Sequence, residues 1–139
     1  MVRLTPRFTA CAVLLWSPFL GSFPAAAQEV DCAKAERQVE LTYCAEQDWK
    51  AADARLTTAY KAAMGVMKGI DANLDAADQG AAVALRDGQR AWITFRDATC
   101  AAEGWAFHGG SAEPMVIYSC RARVTAARAA ELENMAAAD

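Results

Sequence analysis

The chain has 139 residues, of which 55% are hydrophobic and 22% charged, and its formal net charge at pH 7 is −3. This length predicts one small domain with one core and leaves little room for a second. The acidic balance disfavours nucleic acid and anionic lipid as partners and favours a cationic protein.

The N-terminal segment, residues 1–27, has the pattern of a secretory signal peptide. Arg3 and Arg7 give it a basic start, residues 10–23 are mostly apolar, and three small residues end it at Ala27. The alternative, an uncleaved membrane anchor, is disfavoured because the apolar run is shorter than the ~20 residues that span a bilayer. We therefore expect cleavage after Ala27 and a periplasmic or secreted protein.

Residues 28–139 form the single expected domain after this cleavage. The cleavage removes two basic residues and no acidic one, so 12 basic and 17 acidic side chains remain, a net charge of −5. Export of so acidic a domain strengthens the expectation of a cationic partner. No membrane span is expected once the signal peptide is removed, and nothing in the sequence indicates an oligomeric state.

Four cysteines remain in the domain once Cys11 is lost with the signal peptide: Cys32, Cys44, Cys100 and Cys120. An even number of cysteines in an oxidising compartment predicts two disulfides, for which three pairings are possible. A metal site would need closer spacings, such as CxxC, than the separations of 12, 56 and 20 residues found here. We expect neither a metal nor another cofactor.

Helical periodicity predicts a first helix over residues 36–68. Its apolar positions recur at steps of mainly three and four, and they are Cys44, Trp49, Ala52, Leu56, Tyr60, Ala63 and Met67. Met64 and Met67 would suit Cu(I), but their helical spacing favours an ordinary core. Residues 69–79 are rich in turn and cap residues, which predicts a connection with room for a short helical piece around Leu74.

A second helix is predicted over residues 80–104. Its inner side is expected to carry Val83, Leu85, Trp92, Phe95 and Thr99. The pair Gly109 and Gly110 then stops the helical pattern, and Ser111 is expected to cap a third helix over residues 112–134, with Glu113 and Pro114 in its first turn.

The Gly109-Gly110 bend lies midway between Cys100 and Cys120. Two antiparallel helices that meet at this bend bring equidistant cysteines to the same height, which predicts a disulfide between these two. Cys32 and Cys44 then pair by elimination. The expected fold is all-α, a small antiparallel bundle of three main helices clamped by two disulfides.

Several stretches resemble one known family: "ADARLTTAY", "QRAWITFRDATC", "GGSAEPMVIYSC" and "RVTAARAAEL". Together with Cys32 and Cys44, they resemble the LprI-like lysozyme-inhibitor family of small secreted helical domains. The matching positions are Asp53, Leu56, Tyr60, Gln89, Trp92, Arg96, Asp97, Cys100, Gly109, Gly110, Cys120, Thr125, Arg128 and Leu132. Thr57 departs from the family, which more often has asparagine there. The resemblance implies a non-enzymatic protein that inhibits lysozyme.

The loop between the clamped cysteines is the candidate partner-binding element, and its residues are Trp105, Phe107, His108, Gly109, Gly110, Ser111 and Glu113. Lysozyme presents a cationic surface and a cleft with two catalytic carboxylates, so an inhibitor needs long-range attraction and a protruding element. The competing role for the aromatic residues is to cover the core. We expect that role for Trp105, and both roles stay open for Phe107.

His108 is the chain's single histidine. With no second histidine and no GxSxG or HExxH motif, a solvent-facing loop imidazole without partners is expected rather than a catalytic base or metal ligand. We expect no catalytic residue.

A second polar set is predicted between the helices and comprises Asp53, Trp92, Arg96, Asp97, Thr125 and Arg128. The favoured interpretation is a charged network that fixes helix register, and the alternative is a binding site.

The leading hypothesis is therefore an exported binding protein that inhibits a lysozyme-type muramidase by occluding its cleft. The alternative is a periplasmic envelope interaction or stress protein with a partner other than lysozyme. An enzyme is the least favoured of the three.

Overall fold

The computed structural model describes residues 30–137. It contains three α-helices, α1 (Gln38–Ala72), α2 (Ala81–Gly104) and α3 (Glu113–Ala137), and two short 3-10 turns, Cys32–Lys34 and Trp105–Phe107. No strand occurs within the described residues. The expected all-α fold of three main helices is confirmed.

The helices run up, down and up again, so that α1 and α3 begin at the same end of the bundle. Gln38 Nε2 lies 3.4 Å from Met115 Sδ, which makes the first turns of α1 and α3 neighbours. We call this the loop end, because residues 105–112 connect α2 to α3 there. At the opposite end, the far end, residues 73–80 connect α1 to α2. The main packing surface joins α1 to α3.

Small side chains dominate the core. Its buried cluster consists of Leu56, Ala59 and Ala63 on α1, Leu85 on α2, and Ala129 and Leu132 on α3. Alanine has the highest helix propensity and no atoms beyond Cβ, so it lets long helices form and approach closely. Met64 and Met67 pack against this cluster, in the core position that their spacing favoured.

Two residues that the sequence placed on the inner side of α2 are exposed instead. Val83 is 49% exposed and Phe95 62% exposed, whereas Leu85 is buried. The buried face of α2 also carries Gln89 and Arg96. A search for apolar positions alone therefore misplaced part of the inner face.

The predicted connection between α1 and α2 is confirmed but is shorter than expected. Helix α1 continues one turn past residue 68, and residues 73–80 remain as the connection. The residues around Leu74 form turns rather than a helical piece.

Asp71 holds the start of α2 from the last turn of α1. Its Oδ1 accepts hydrogen bonds from the N–H groups of Gly80 and Ala81, both at 2.9 Å, and its Oδ2 accepts one from Ala82 at 3.0 Å. Helix N-termini leave such N–H groups without intrahelical partners. These three hydrogen bonds lower the pKa of Asp71 below its ordinary range.

Both predicted disulfides are confirmed. Cys32 and Cys44 are joined with their Cα atoms 5.6 Å apart, and Cys100 and Cys120 with theirs 5.4 Å apart. All four cysteines lie in the half of the bundle at the loop end. The far end has no disulfide within residues 30–137.

The predicted signal peptide, residues 1–27, lies outside the described residues. Within residues 30–137, no helix combines the length and the hydrophobicity that crossing a lipid bilayer requires.

Candidate functional site

The loop from Trp105 to Glu113 is fixed at both of its ends. A buried disulfide joins the flanking helices. Its cysteines are Cys100, about one turn before the end of α2, and Cys120, two turns into α3. Helix α3 begins at Glu113, so the predicted cap residue Ser111 lies outside the helix, with Ala112 between them. The loop is therefore short, and the two helices that flank it are covalently joined close to its ends.

Glycines shape the bend of the loop. Gly109 has a φ of +75°, in the left-handed region that side chains disfavour. The N–H of Gly110 donates to the carbonyl of Phe107 at 2.9 Å, and a Cβ on Gly110 would lie 3.0 Å from that oxygen. The predicted bend at Gly109 and Gly110 is thus a tight turn in which a side chain at either position is disfavoured.

Glu113 closes the turn from the first residue of α3. One carboxylate oxygen accepts a hydrogen bond from the N–H of Gly109 at 2.8 Å, and the other lies 3.2 Å from His108 Nδ1. The Gly109 N–H, and to a lesser degree His108, hold the pKa of Glu113 below its ordinary range. Both carboxylate oxygens of Glu113 therefore contact groups within the loop.

His108 is not the isolated imidazole that the sequence predicted. Besides its contact with Glu113, its ring stacks on the indole of Trp105, with ring centroids 3.9 Å apart. The expectation of a loop histidine without partners was wrong, because a tight turn after the 3-10 turn folds residue 108 back over residue 105. The expected solvent exposure is confirmed, since 57% of the His108 side chain is accessible.

Trp105 and Phe107 face solvent. Trp105 is 64% exposed and Phe107 49% exposed, so the expectation that Trp105 lies in the core was wrong. At the neighbouring residue, Gly104, the side chain of Ile117 lies where a Cβ would otherwise project. The loop instead presents an aromatic surface formed by Trp105, Phe107 and His108.

Four residues of the second predicted set lie together between α1 and α2. Arg96 Nη1 is 3.5 Å from Asp53 Oδ1, and Arg96 Nε donates to Asp97 Oδ1 at 3.0 Å. The Arg96 guanidinium carbon is also 5.4 Å from the ring centroid of Trp92. The Arg96 side chain is only 9% exposed, so two partly exposed carboxylates neutralise a buried cation.

Three further residues, which the sequence analysis did not assign to this set, complete this polar cluster. Arg121 Nε lies 3.3 Å from Asp97 Oδ1, and its guanidinium carbon lies 5.0 Å from the ring centroid of Trp49. Trp49 in turn stacks on Tyr118, with ring centroids 5.6 Å apart. A signal for Arg121 existed, because it directly follows Cys120 and the predicted disulfide places it near the height of Asp97.

Thr125 and Arg128 are not part of this cluster. Thr125 is fully buried, and its hydroxyl has no hydrogen-bond partner within the described part of the chain. Arg128 Nε donates to Gln89 Oε1 at 3.1 Å, and Arg128 Nη1 donates to Glu131 Oε2 at 2.8 Å. Arg128 therefore forms a separate polar contact between α2 and α3, two turns from Arg121.

All four cysteines of residues 30–137 are oxidised, and that part of the chain holds no cluster of three histidine, cysteine or acidic side chains suited to a metal ion. The loop exposes an aromatic surface that is available for contact with a partner.

Comparisons with known proteins agree with these features. The family model described as Lysozyme inhibitor LprI matches residues 31–132, which include both disulfides, the polar cluster and the loop. An uncharacterized protein of Rhizobium meliloti (strain 1021) is 45% identical over 117 residues, covering 81% of this chain and 84% of that protein. A crystal structure of a DUF1311 family protein from Pseudomonas putida KT2440 has a similar fold, with a TM-score of 0.63 and 23% identity over 76% of this chain and 97% of that one. The chain belongs to the LprI lysozyme-inhibitor family.

Proposed function

We propose that this protein is an exported inhibitor of a lysozyme-type muramidase and that its loop, Trp105 to Glu113, enters the catalytic cleft of the enzyme. The observation that carries the proposal is the exposed stack of Trp105 and His108 on a loop closed by a disulfide. Exposed aromatic side chains that are already ordered make strong anchors, because little conformational freedom is lost when they bind. Membership of a family described as lysozyme inhibitors supports the same function.

The distribution of charge supports the proposed binding of a cationic enzyme through the loop. The domain of residues 28–139 carries a net charge of −5, which attracts a cationic enzyme over long range. The loop itself has no acidic side chain between Trp105 and Ala112, and Glu113 is engaged by Gly109 and His108. Its tip therefore avoids repulsion from the two carboxylates of a glycosidase cleft.

Two disulfides support export, because such bonds persist in oxidising compartments. We accordingly propose a periplasmic or secreted location, with residues 1–27 as the signal peptide. The polar cluster around Arg96 then has the role of fixing helix register beneath the loop end.

A lysis assay tests the function. The full chain is expressed, exported and purified oxidised, then added to lysozyme acting on a bacterial cell suspension. We expect lysis to slow at near-stoichiometric amounts and inhibition to weaken as salt screens the attraction. Unchanged lysis at a large molar excess, at low salt and with several lysozyme classes, would overturn the proposal.

A pair of matched variants tests the loop. Trp105→Ala should weaken inhibition by about tenfold or more, as expected for a central aromatic anchor. Phe95→Ala is the control, because Phe95 is 62% exposed on α2 and Trp105 is 64% exposed in the loop. Equal inhibition by both variants and the parent protein would show that another surface binds the enzyme.

A further inference from the structure

We infer that a groove between α1 and α2 binds a small organic anion that carries at least two carboxylate or phosphate groups. The groove has a volume of about 530 Å³ and lies along the middle of both helices, apart from the loop. Volumes of 300–1,000 Å³ are typical of sites for small molecules. The inference is independent of lysozyme inhibition.

The sign of the charge in the groove is opposite to that of the domain. Four basic side chains line it, Lys61 from α1 and Arg86, Arg90 and Arg96 from α2, whereas Asp53 is its one acidic lining residue. Asp53 and Asp97 neutralise Arg96, so the three other basic side chains are the ones that favour an anionic ligand.

Two of these cations are the least engaged by protein partners. Within residues 30–137 Lys61 forms no ion pair, and Arg90 has only a long one, in which its Nη1 lies 3.8 Å from an Asp87 oxygen that Arg86 also engages. Arg86, by contrast, donates to Asp87 at 2.8 Å. Lys61 and Arg90 approach the groove from different helices, so a ligand with two anionic groups can engage both.

The inner part of the groove is already ordered. Arg96 is held by Asp53, Asp97 and the face of Trp92, as described above. Gln89 lines the groove and is 8% exposed, and its Oε1 accepts from Arg128, which leaves its amide N–H groups as donors. Preformed donors reduce the entropy lost on binding.

Apolar side chains complete the lining. Leu56, Tyr60 and Ile93 line the groove together with the basic groups of the two helices. They favour an organic molecule whose anionic groups are joined by a carbon skeleton over a bare inorganic ion.

The test is a titration of the full exported chain, ¹⁵N-labelled, followed by amide NMR. The probes are citrate, inorganic pyrophosphate and the uncharged trimethyl ester of citrate. We expect saturable shifts at residues 53–61 and 86–96 with the anions and none with the ester. Citrate alone would identify carboxylates as the ligand chemistry, and pyrophosphate alone would identify phosphates.

Two double variants serve as the pair for comparison. The double variant Lys61→Gln, Arg90→Gln should weaken binding of the anions at least tenfold. The control Lys68→Gln, Arg123→Gln removes the same number of charges outside the groove and should leave the affinity for the anions unchanged. Circular dichroism and the midpoint of thermal unfolding confirm that both variants fold. Equal weakening by the two pairs, binding of the neutral ester, or no saturable shift with either anion would overturn the inference.

Discussion

At residue 104 the loop end has no space for any side chain. A Cβ built on Gly104 would lie 2.6 Å from Cγ1 and 2.9 Å from Cδ1 of Ile117 on α3. Real Cβ atoms do not approach carbon so closely, so α2 and α3 can approach each other here only because residue 104 is glycine.

Gly104→Ala should therefore destabilise the protein. Overpacking costs about 1–3 kcal/mol, which exceeds the gain of up to about 1 kcal/mol from replacing a helical glycine by alanine. We expect a net loss of about 1 kcal/mol in the free energy of unfolding, measured by urea denaturation.

A double-mutant cycle identifies the cause of that loss. In an Ile117→Ala background the clash is absent, and Gly104→Ala should then be neutral or stabilising. An equal cost in both backgrounds would mean that Ile117 is not the neighbour that resists the added methyl group.

The loop illustrates what sequence can predict at this scale. The bend at Gly109 and Gly110 followed from their position midway between two cysteines, because residue type and spacing alone specify a turn. The stack of His108 on Trp105 did not follow, because it depends on the φ and ψ angles of a tight turn that many sequences share. Sequence hydrophobicity likewise placed Trp105 in the core, whereas Trp105 is 64% exposed.

Among the helices, Asp71 is the residue that joins one element to the next. It belongs to α1, yet its carboxylate accepts three hydrogen bonds from the first N–H groups at the start of α2. These bonds favour the charged form and lower the pKa of Asp71. The contact therefore stabilises the fold above the unfolded pKa and is lost as the pH falls through the lower, folded pKa.

Asp71→Asn should lower the midpoint of thermal unfolding at pH 7 much more than at pH 3, because the parent protein also loses part of the charged contact in acid. Thermal unfolding followed by circular dichroism at both pH values measures this difference. Asp75→Asn, in the same connection, is the control and should change neither midpoint. A variant that is equally destabilised at both pH values would show that the negative charge is not what caps α2.

The polar cluster shows the limit of prediction between elements. Asp53, Trp92, Arg96 and Asp97 were predicted to meet, and they do. Arg128 was placed with them because it lies eight residues after Cys120 and was expected to reach the region between the helices, but it contacts Gln89 instead. The pattern of residue types along a helix indicates which face points inward. The residue that each inward side chain meets on the next helix depends on how the two helices cross.

Across the whole molecule, covalent links are concentrated at the loop end. Both disulfides lie there, whereas the far end is held by packing around Leu132 and by the hydrogen bonds of Asp71 to the start of α2. The pairing was predictable because helix direction and cysteine spacing suffice to determine it. The unequal distribution of covalent links along the bundle follows directly from that pairing.

Replacing each disulfide by two serines should have unequal effects. Loop closure alone predicts about 3 kcal/mol for each bond and a difference of only about 0.5 kcal/mol between them. Cys100 and Cys120 are 0% and 2% exposed, whereas Cys32 is exposed, so removing their bond also disturbs the core. We expect the Cys100→Ser, Cys120→Ser variant to be the less stable by more than 0.5 kcal/mol in urea denaturation. A difference of about 0.5 kcal/mol or less would mean that burial of this bond contributes nothing.

The order of the cysteines also matters for how the protein is made. Each cysteine of the described chain is bonded to its nearest cysteine neighbour along the sequence, the first to the second and the third to the fourth. The export that we propose presents Cys32 and Cys44 to an oxidant before Cys100 leaves the translocation channel. Joining cysteines in order of appearance then yields the native bonds directly, and we expect these bonds to form in a host that lacks disulfide isomerase.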